Sequence, residues 1–69
     1  MPFTIEYLWR GHLSAVERVI SFASHVAVAE QSARDGMARV QIMRFDTPPD
    51  GYRILDHDGH VVVFRSWAE

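Results

Sequence analysis

The chain contains no cysteine, and in a chain of only 69 residues this absence limits how a fold can be held together. A domain of this size buries only about 60% of the surface that its unfolded chain exposes, so its stability is marginal. Small domains usually gain further stability from disulfides, a bound metal or association with another subunit. Without thiols, the remaining routes are a metal held by histidine and carboxylate ligands, or oligomerisation.

The charges of the chain give no support for binding to an anionic partner. Seven basic residues, all of them arginine, stand against nine acidic residues, and the formal net charge is −2. No overall positive field is therefore available to attract nucleic acid or an anionic lipid surface. With 48% hydrophobic and 23% charged residues, the composition is that of an ordinary globular protein. We interpret residues 1–69 as a single domain.

The sequence carries no sign of a membrane or secretory segment. No apolar run approaches the ~18–20 residues that a membrane-spanning helix needs. The first residues lack the basic segment of a signal peptide, and Glu6 interrupts their apolar stretch. We therefore predict a cytoplasmic protein with no membrane partner.

The clearest local pattern is the alternation from Phe3 to Trp9, in which Ile5 and Tyr7 share one side with the two end residues. A period of two, carried by aromatic and β-branched residues, is typical of a strand with one buried face. Gly11 follows and can adopt a positive φ, so we predict a turn there.

Residues 14–35 allow two interpretations. The β-branched and aromatic side chains between Ala15 and Phe22 favour a second strand. A shorter helix would then follow, capped by Ser24 and ended by Gly36. Alternatively, one long helix over 14–35 begins with a Ser-x-x-Glu capping box. We favour strand followed by helix, because the β-branched residues are unfavourable in a helix.

Three further strands are predicted after the helix. Met37 to Phe45 alternates again, Tyr52 to Leu55 follows a Pro-Pro-Asp-Gly loop, and His60 to Trp67 is rich in valine. The predicted order is β-β-α-β-β-β, a small α+β domain in which one helix packs on one face of an antiparallel sheet. With the long helix, the order becomes β-α-β-β-β.

The stretch Asp-His-Asp-Gly-His at residues 56–60 contains residue types that bind divalent metals. Its candidate metal ligands are His57 and His60. The same stretch places Asp-Gly between two apolar runs, which is the strongest short signal for a β-hairpin. A structural zinc site needs four ligands and supporting hydrogen bonds, and these residues supply fewer. We therefore predict a turn and no metal cofactor.

No catalytic constellation can be recognised in the sequence. None of the serines lies in a Gly-x-Ser-x-Gly elbow. Each of the four glycines falls at a predicted break, which leaves none for a phosphate-binding loop. We predict a non-enzymatic protein without catalytic or cofactor-binding residues.

The predicted strands are apolar on both sides, which is typical of strands buried on both faces. One short helix covers only one face of the sheet, so the other face is predicted to be an interface between copies of the chain. Its predicted residues are Leu8, Val19, Met43, Val62 and Phe64. The leading hypothesis is a self-associating protein-interaction module, as a homodimer or higher oligomer, with an unidentified protein as a possible further partner.

A nucleic-acid-binding or regulatory module is the alternative function. Small sheets bind RNA by stacking bases on exposed aromatic side chains, and Tyr7 and Trp9 would supply such a platform. The basic residues of this platform would be Arg10, Arg18, Arg39 and Arg53. The negative net charge and the lack of an RNA-recognition signature make this the weaker hypothesis.

Overall fold

The computed structural model describes residues 2–10 and 14–67, with the backbone alone described for Ser14. The elements in chain order are β1 (Phe3–Trp9), β2 (Ser14–Ser21), α1 (Val26–Met43), β3 (Gly51–Leu55) and β4 (Val61–Ser66). The strands form one sheet in the order β2-β1-β3-β4, in which every neighbouring pair is antiparallel. α1 lies across one face and contacts all four strands. The predicted α+β class, with one helix on an antiparallel sheet, is confirmed.

The first two strands are paired as predicted. β1 and β2 are antiparallel along their length, with one β-bulge in which β2 contains an extra residue. The alternative of one long helix over 14–35 is wrong. The side chains of Val16 and Val19 lose χ1 freedom in a helix but fit a pleated strand, from which both pack against the core. The predicted turn at Gly11 lies outside the described residues.

The helix is longer than the sequence predicts. Gly36 does not end it, and the strand predicted from Met37 to Phe45 is wrong, because α1 continues to Met43. Only two strands follow α1 in the described part of the chain, so the observed order is β-β-α-β-β. Within that part, no helix has the length and apolar character needed to cross a membrane. The residues that α1 buries recur at helical spacing on both sides of the glycine: Ala29, Ala33 and Val40.

Gly36 lies in the helix interior, where glycine is less favourable than alanine by about 1 kcal/mol. A Cβ atom at this position would lie 2.6 Å from the hydroxyl oxygen of Tyr7, too close for two non-bonded atoms. The same hydroxyl donates a hydrogen bond of 2.8 Å to the carbonyl oxygen of Ala33. Glycine is therefore required by the close approach of a strand side chain to the helix backbone.

The helix also begins one residue later than the predicted cap implies. The N-cap residue is His25 rather than Ser24, and its side chain makes no capping hydrogen bond. The backbone N–H groups of Val28 and Ala29 donate to the His25 carbonyl at 3.1 and 3.2 Å. Backbone contacts thus start this helix without the side-chain cap that the sequence suggests.

The core lies between α1 and the sheet and is centred on two tyrosines. Tyr7 and Tyr52 are paired on β1 and β3, and Ile5 and Ile54 form a neighbouring pair. All four residues are at most 2% exposed. Burial raises the pKa of both tyrosine hydroxyls. Both therefore stay protonated at neutral pH and can donate hydrogen bonds to the helix.

The connection between β3 and β4 is the predicted Asp-Gly hairpin turn. The N–H of Gly59 donates to the Asp56 carbonyl at 3.0 Å, and Gly59 has a φ of 85°, which glycine adopts readily. The Asp56 carboxylate accepts hydrogen bonds from the N–H groups of Asp58 and His60, both at 2.9 Å. The prediction of a turn at this position is confirmed.

Candidate interaction surface

The face of the sheet that points away from α1, here called the outer face, is ordered by the strand registers into three rows. Each row takes one residue from β2, β1, β3 and β4 in that order, because antiparallel partners point to the same face. The first row is Ile20, Thr4, Leu55 and Val61. The middle row is Arg18, Glu6, Arg53 and Phe64. The third row is Ala15, Leu8, Gly51 and Ser66.

Glu6 lies near the centre of the outer face and is held between two arginines. Its Oε2 atom accepts a hydrogen bond of 2.5 Å from Nε of Arg18, and its Oε1 atom accepts one from Nε of Arg53. The Glu6 side chain is 7% exposed, whereas the side chains of Arg18 and Arg53 are 68% and 31% exposed. The two guanidinium groups therefore cover the carboxylate while they themselves stay in contact with water.

The ionisation of Glu6 reflects two opposing effects. Burial, the largest single influence, would raise the pKa of Glu6, because a carboxylate is less stable away from water. The hydrogen bonds and positive charges of Arg18 and Arg53 together outweigh that effect, and the pKa of Glu6 lies below its usual value. The carboxylate is therefore ionised at neutral pH, and the group of three side chains has a net charge of +1.

Exposed apolar side chains border this charged centre. Ile20 and Val61, at the two ends of the first row, are 53% and 52% exposed. Phe64 ends the middle row, and Val62 is the extra residue of a β-bulge in β4; both are exposed. Arginine and aromatic residues are enriched in protein interfaces, whereas charged residues in general are depleted at the interface centre. The outer face has exposed arginine and aromatic side chains, and its central carboxylate differs from an ordinary surface charge because two arginines pair with it.

The five residues predicted as an interface do not form one surface. Leu8 is on the outer face but is fully buried within the chain. Val19 points toward α1 and packs against the core, and Met43 is the exposed last residue of the helix rather than part of a strand. Val62 and Phe64 are exposed on β4. The register of β2 accounts for Val19 and the length of α1 for Met43, whereas Leu8 lies on the predicted face but is covered within its own chain.

The four arginines predicted for nucleic-acid binding are also separated. Arg18 and Arg53 converge on one carboxylate of the outer face. Arg39 belongs to α1, on the opposite side of the sheet. Arg10 has a left-handed φ of 56°, and its guanidinium lies 4.7 Å from the centre of the Trp9 ring. These side chains do not share one basic platform.

A second polar cluster joins α1 to β3 and β4. The Tyr52 hydroxyl donates a hydrogen bond of 2.7 Å to Oε2 of Glu30 and accepts one of 3.2 Å from Nε of Arg34. Nε of Arg65 lies 3.1 Å from the same carboxylate oxygen. The hydrogen bond from Tyr52 is the main cause that lowers the pKa of Glu30. These groups satisfy one another, so the cluster holds the helix on the sheet.

The tip of the β3–β4 hairpin brings three potential metal ligands together. One ligand atom each of Asp56, Asp58 and His60 lies within 4.8 Å of the others. His60 is one of the two candidates from the sequence; the other, His57, is outside this group, with its Nε2 atom 3.5 Å from Asp58. One oxygen of Asp56 already accepts two backbone N–H groups. The group offers three of the four ligands that a structural zinc site requires, and the hairpin turn accounts for its geometry.

A shallow cleft of about 230 Å³ lies along the outer edge of β2. It is lined by Ala15, Val16, Glu17 and Arg18. Pockets for small ligands usually enclose ~300–1,000 Å³ and draw residues from several elements. This cleft is smaller and belongs to one strand, so it does not define a small-molecule site.

The central position of Glu6 is not predicted from the sequence. In an alternating strand, a single glutamate is typical of a position that faces water. Its partners Arg18 and Arg53 lie 12 and 47 residues away. The informative signal is an acidic residue on a central strand with an arginine opposite it on each neighbouring strand, and this signal requires the register of all three strands.

Comparisons of the chain with protein-family models, with curated proteins and with solved structures find no match. The functional interpretation therefore depends on the geometry of this chain.

Proposed function

We propose that this protein is a non-enzymatic protein-interaction module that associates with a second copy of itself through the outer face of the sheet. The proposal depends mainly on one observation: a nearly buried carboxylate, neutralised by two arginines, is bordered by the exposed side chains of Ile20, Val61 and Phe64. The helix covers the opposite face of the same sheet. The cytoplasmic location expected from the sequence is part of the proposal.

The size of the outer face is sufficient for a specific dimer. Four strands spaced about 4.8 Å apart, each about six residues long, span roughly 20 by 20 Å. Because side chains make this surface uneven, its accessible area is larger, at most roughly 600 Å² per subunit, since Leu8 and Gly51 on this face are already buried. Two copies would then bury up to roughly 1,200 Å² in total, the lower end of specific interfaces. For a domain of 69 residues, this burial adds substantially to a small core.

The chemistry of the charged centre also favours a protein partner. Within the single chain, Glu6 has already lost most of its contact with water, because the two arginines cover it. A partner that packs on this face would therefore not need to remove the hydration of an exposed carboxylate. Guanidinium groups are weakly hydrated and have apolar stems, so Arg18 and Arg53 can be covered at a modest desolvation cost.

The proposal is tested by the solution mass, measured by light scattering during size-exclusion chromatography. Val61 on β4 and Val28 on α1 are each 52% exposed, which makes them a matched pair. We expect a dimer for the unmodified chain and for Val28→Arg, and a monomer for Val61→Arg, because only Val61 lies on the outer face. A chelator should not change the mass. A monomeric unmodified chain at high micromolar concentration would contradict the proposal.

Nucleic-acid binding is the second candidate and has less support. Arg18 and Arg53 share a carboxylate, and Tyr7, one of the two aromatic residues needed for stacking, is buried in the core. Retention on heparin at moderate salt that disappears as the salt concentration rises would favour this alternative. We expect the protein to pass through the column.

A further inference from the structure

We infer that the second copy packs face to face on the outer face about a two-fold axis that runs along the strands, between β1 and β3. This inference rests on the proposed self-association and specifies which residues meet. Symmetric dimers use the same patch on both subunits, and aligned sheet packing keeps the two strand directions within about 30°. For aligned packing, the axis runs either across the strands or along them.

An axis across the strands places every strand over its own copy. In the middle row, Glu6 would then face the partner's Glu6, and Arg53 would face the partner's Arg53. Like charges would meet at the centre of the interface, where water is excluded and repulsion is strong. This arrangement is unfavourable for the outer face as the strand registers define it.

An axis along the strands places β1 over β3 of the partner subunit and β2 over its β4. Glu6 then faces the partner's Arg53, and Arg53 faces the partner's Glu6. The four charges alternate in sign around the axis and sum to zero. Because each carboxylate is already paired within its own subunit, the contact adds an arginine to it and leaves no buried charge unpaired.

The remaining positions of the middle row also fit this axis. Arg18, on the outer edge of the face, meets the ring of the partner's Phe64. A guanidinium group over an aromatic ring is a favourable contact. The Arg18 side chain is 68% exposed, so its charge stays at the hydrated border of the interface. The excess positive charge of each group of three side chains is thereby kept away from the centre.

The first row agrees with the same arrangement. In that row, Ile20 meets the partner's Val61, so the two most exposed apolar positions of the row cover each other. The third row does not distinguish the two axes, because Leu8 in it is already buried within its own chain and the other three residues are small: Ala15, Gly51 and Ser66. The first and middle rows therefore favour the axis along the strands.

The test uses single cysteines, because the natural chain contains none. Ile20→Cys and Val61→Cys chains are unfolded, refolded together in equal amounts and treated with a bismaleimide whose reach matches the ~10 Å between packed sheets. We expect cross-linked dimer in the mixture and only a trace in either variant alone. The two positions lie on opposite edge strands of one subunit, so they meet only across the proposed interface.

Two further mixtures separate the possible outcomes. Thr4→Cys with Leu55→Cys should also cross-link, and this pair replaces the first if Ile20→Cys does not fold by circular dichroism. Cross-linking of Ile20→Cys with Ala15→Cys would point to an axis across the strands; this would overturn the inferred geometry but keep the proposed self-association. A dimeric mass with no cross-linking between Ile20→Cys and Val61→Cys, or between Thr4→Cys and Leu55→Cys, would also overturn the geometry and keep the self-association. A monomeric unmodified chain would overturn both.

Discussion

The two faces of the sheet place charge in opposite ways. On the helix side, one of the two rows next to the Glu6 row has its charges on the edge strands and two tyrosines at its centre. That row is Glu17, Tyr7, Tyr52 and Arg65. On the outer face, the ion pair of Glu6 and Arg53 lies on the two central strands, and Ile20, Val61 and Phe64 lie on the edge strands. A helix covers the centre of one face, whereas arginine side chains cover the centre of the other.

This comparison indicates what stabilises each face. The helix side depends on tight packing of apolar groups, with two hydroxyl groups bonded to α1. The outer face depends on an ion-paired centre that a single chain can leave partly in water. We therefore expect the two faces to respond differently to matched substitutions, to pH and to protein concentration.

The largest difference is expected between two isoleucines, one on each face. Ile5 is 1% exposed, and Ile20 is 53% exposed. Ile5→Ala should lower the free energy of unfolding by about 2–5 kcal/mol, because it leaves a cavity in the core. Ile20→Ala should lower it by less than about 1 kcal/mol at low protein concentration. Urea denaturation followed by circular dichroism measures both changes.

Repeating the denaturation at several protein concentrations distinguishes the two variants further. If the outer face is a self-association surface, the midpoint of unfolding of the natural chain rises with protein concentration. Ile20→Ala should reduce that dependence, and Ile5→Ala should keep it while shifting the whole curve. Equal losses of stability for both variants at low concentration would contradict the difference between the faces.

The next largest effect is expected for Glu6. Glu6→Gln should lower the free energy of unfolding by about 2 kcal/mol, because hydrogen bonds to charged groups are worth roughly 1.5–3 kcal/mol. Glu17→Gln is the control, since the Glu17–Arg44 ion pair is longer, at 3.8 Å, and should cost less. Thermal unfolding at pH 7 compares the two variants.

Glu6 on the outer face should also make the stability of the protein depend on pH. The pKa of Glu6 is lowered in the folded chain and is about 4.3 when the chain is unfolded. Its stabilising contribution is therefore complete above that pH and is lost as the pH falls through the folded pKa. Glu6→Gln should make the acid side of the stability curve flatter, although Glu30 and Asp56, whose pKa values are also lowered, keep part of the slope. An unchanged slope would contradict the central role of Glu6.

The smallest effect tests the packing of Tyr7 against Gly36. Gly36→Ala should lower the free energy of unfolding by about 1 kcal/mol, because overpacking outweighs the higher helix propensity of alanine. In a Tyr7→Phe background the hydroxyl is gone, and the nearest remaining atom is Cζ at 3.7 Å, an ordinary contact. There, the same substitution should raise stability by up to about 1 kcal/mol. A double-mutant cycle without this change of sign would mean that another contact requires the glycine.

The parts of the fold that could be predicted are those whose signals are local. Alternation between Phe3 and Trp9 predicts β1, and Asp58-Gly59 predicts the second hairpin, because neighbouring residues alone determine these features. The end of α1 could not be predicted in the same way. Gly36 has the properties of a helix terminator, and only the close approach of the Tyr7 hydroxyl from a distant strand explains why a glycine lies in the helix interior.

The residues of the outer face are also difficult to predict from the sequence, because they depend on pairing between distant strands. The expectation that the face away from the helix carries apolar groups led to Phe64, which lies there, and to Val62, the exposed extra residue of the β-bulge in β4. It also assigned Val19 to that face, and the register places Val19 toward the helix. A strand shifted by one residue exchanges its faces, so site residues on a sheet cannot be assigned until the pairing is known.

Glu6 also has a consequence for the order in which the chain folds. Its ion pair with Arg18 spans 12 residues and lies within the β1–β2 hairpin, whereas its ion pair with Arg53 spans 47 residues and joins β1 to β3. Isolated hairpins form in about 1–10 μs, but contacts between distant residues must first overcome the entropy of closing a long loop. We expect the joining of the two hairpins to limit the folding rate, with one end of the Glu6 carboxylate paired early and the other late.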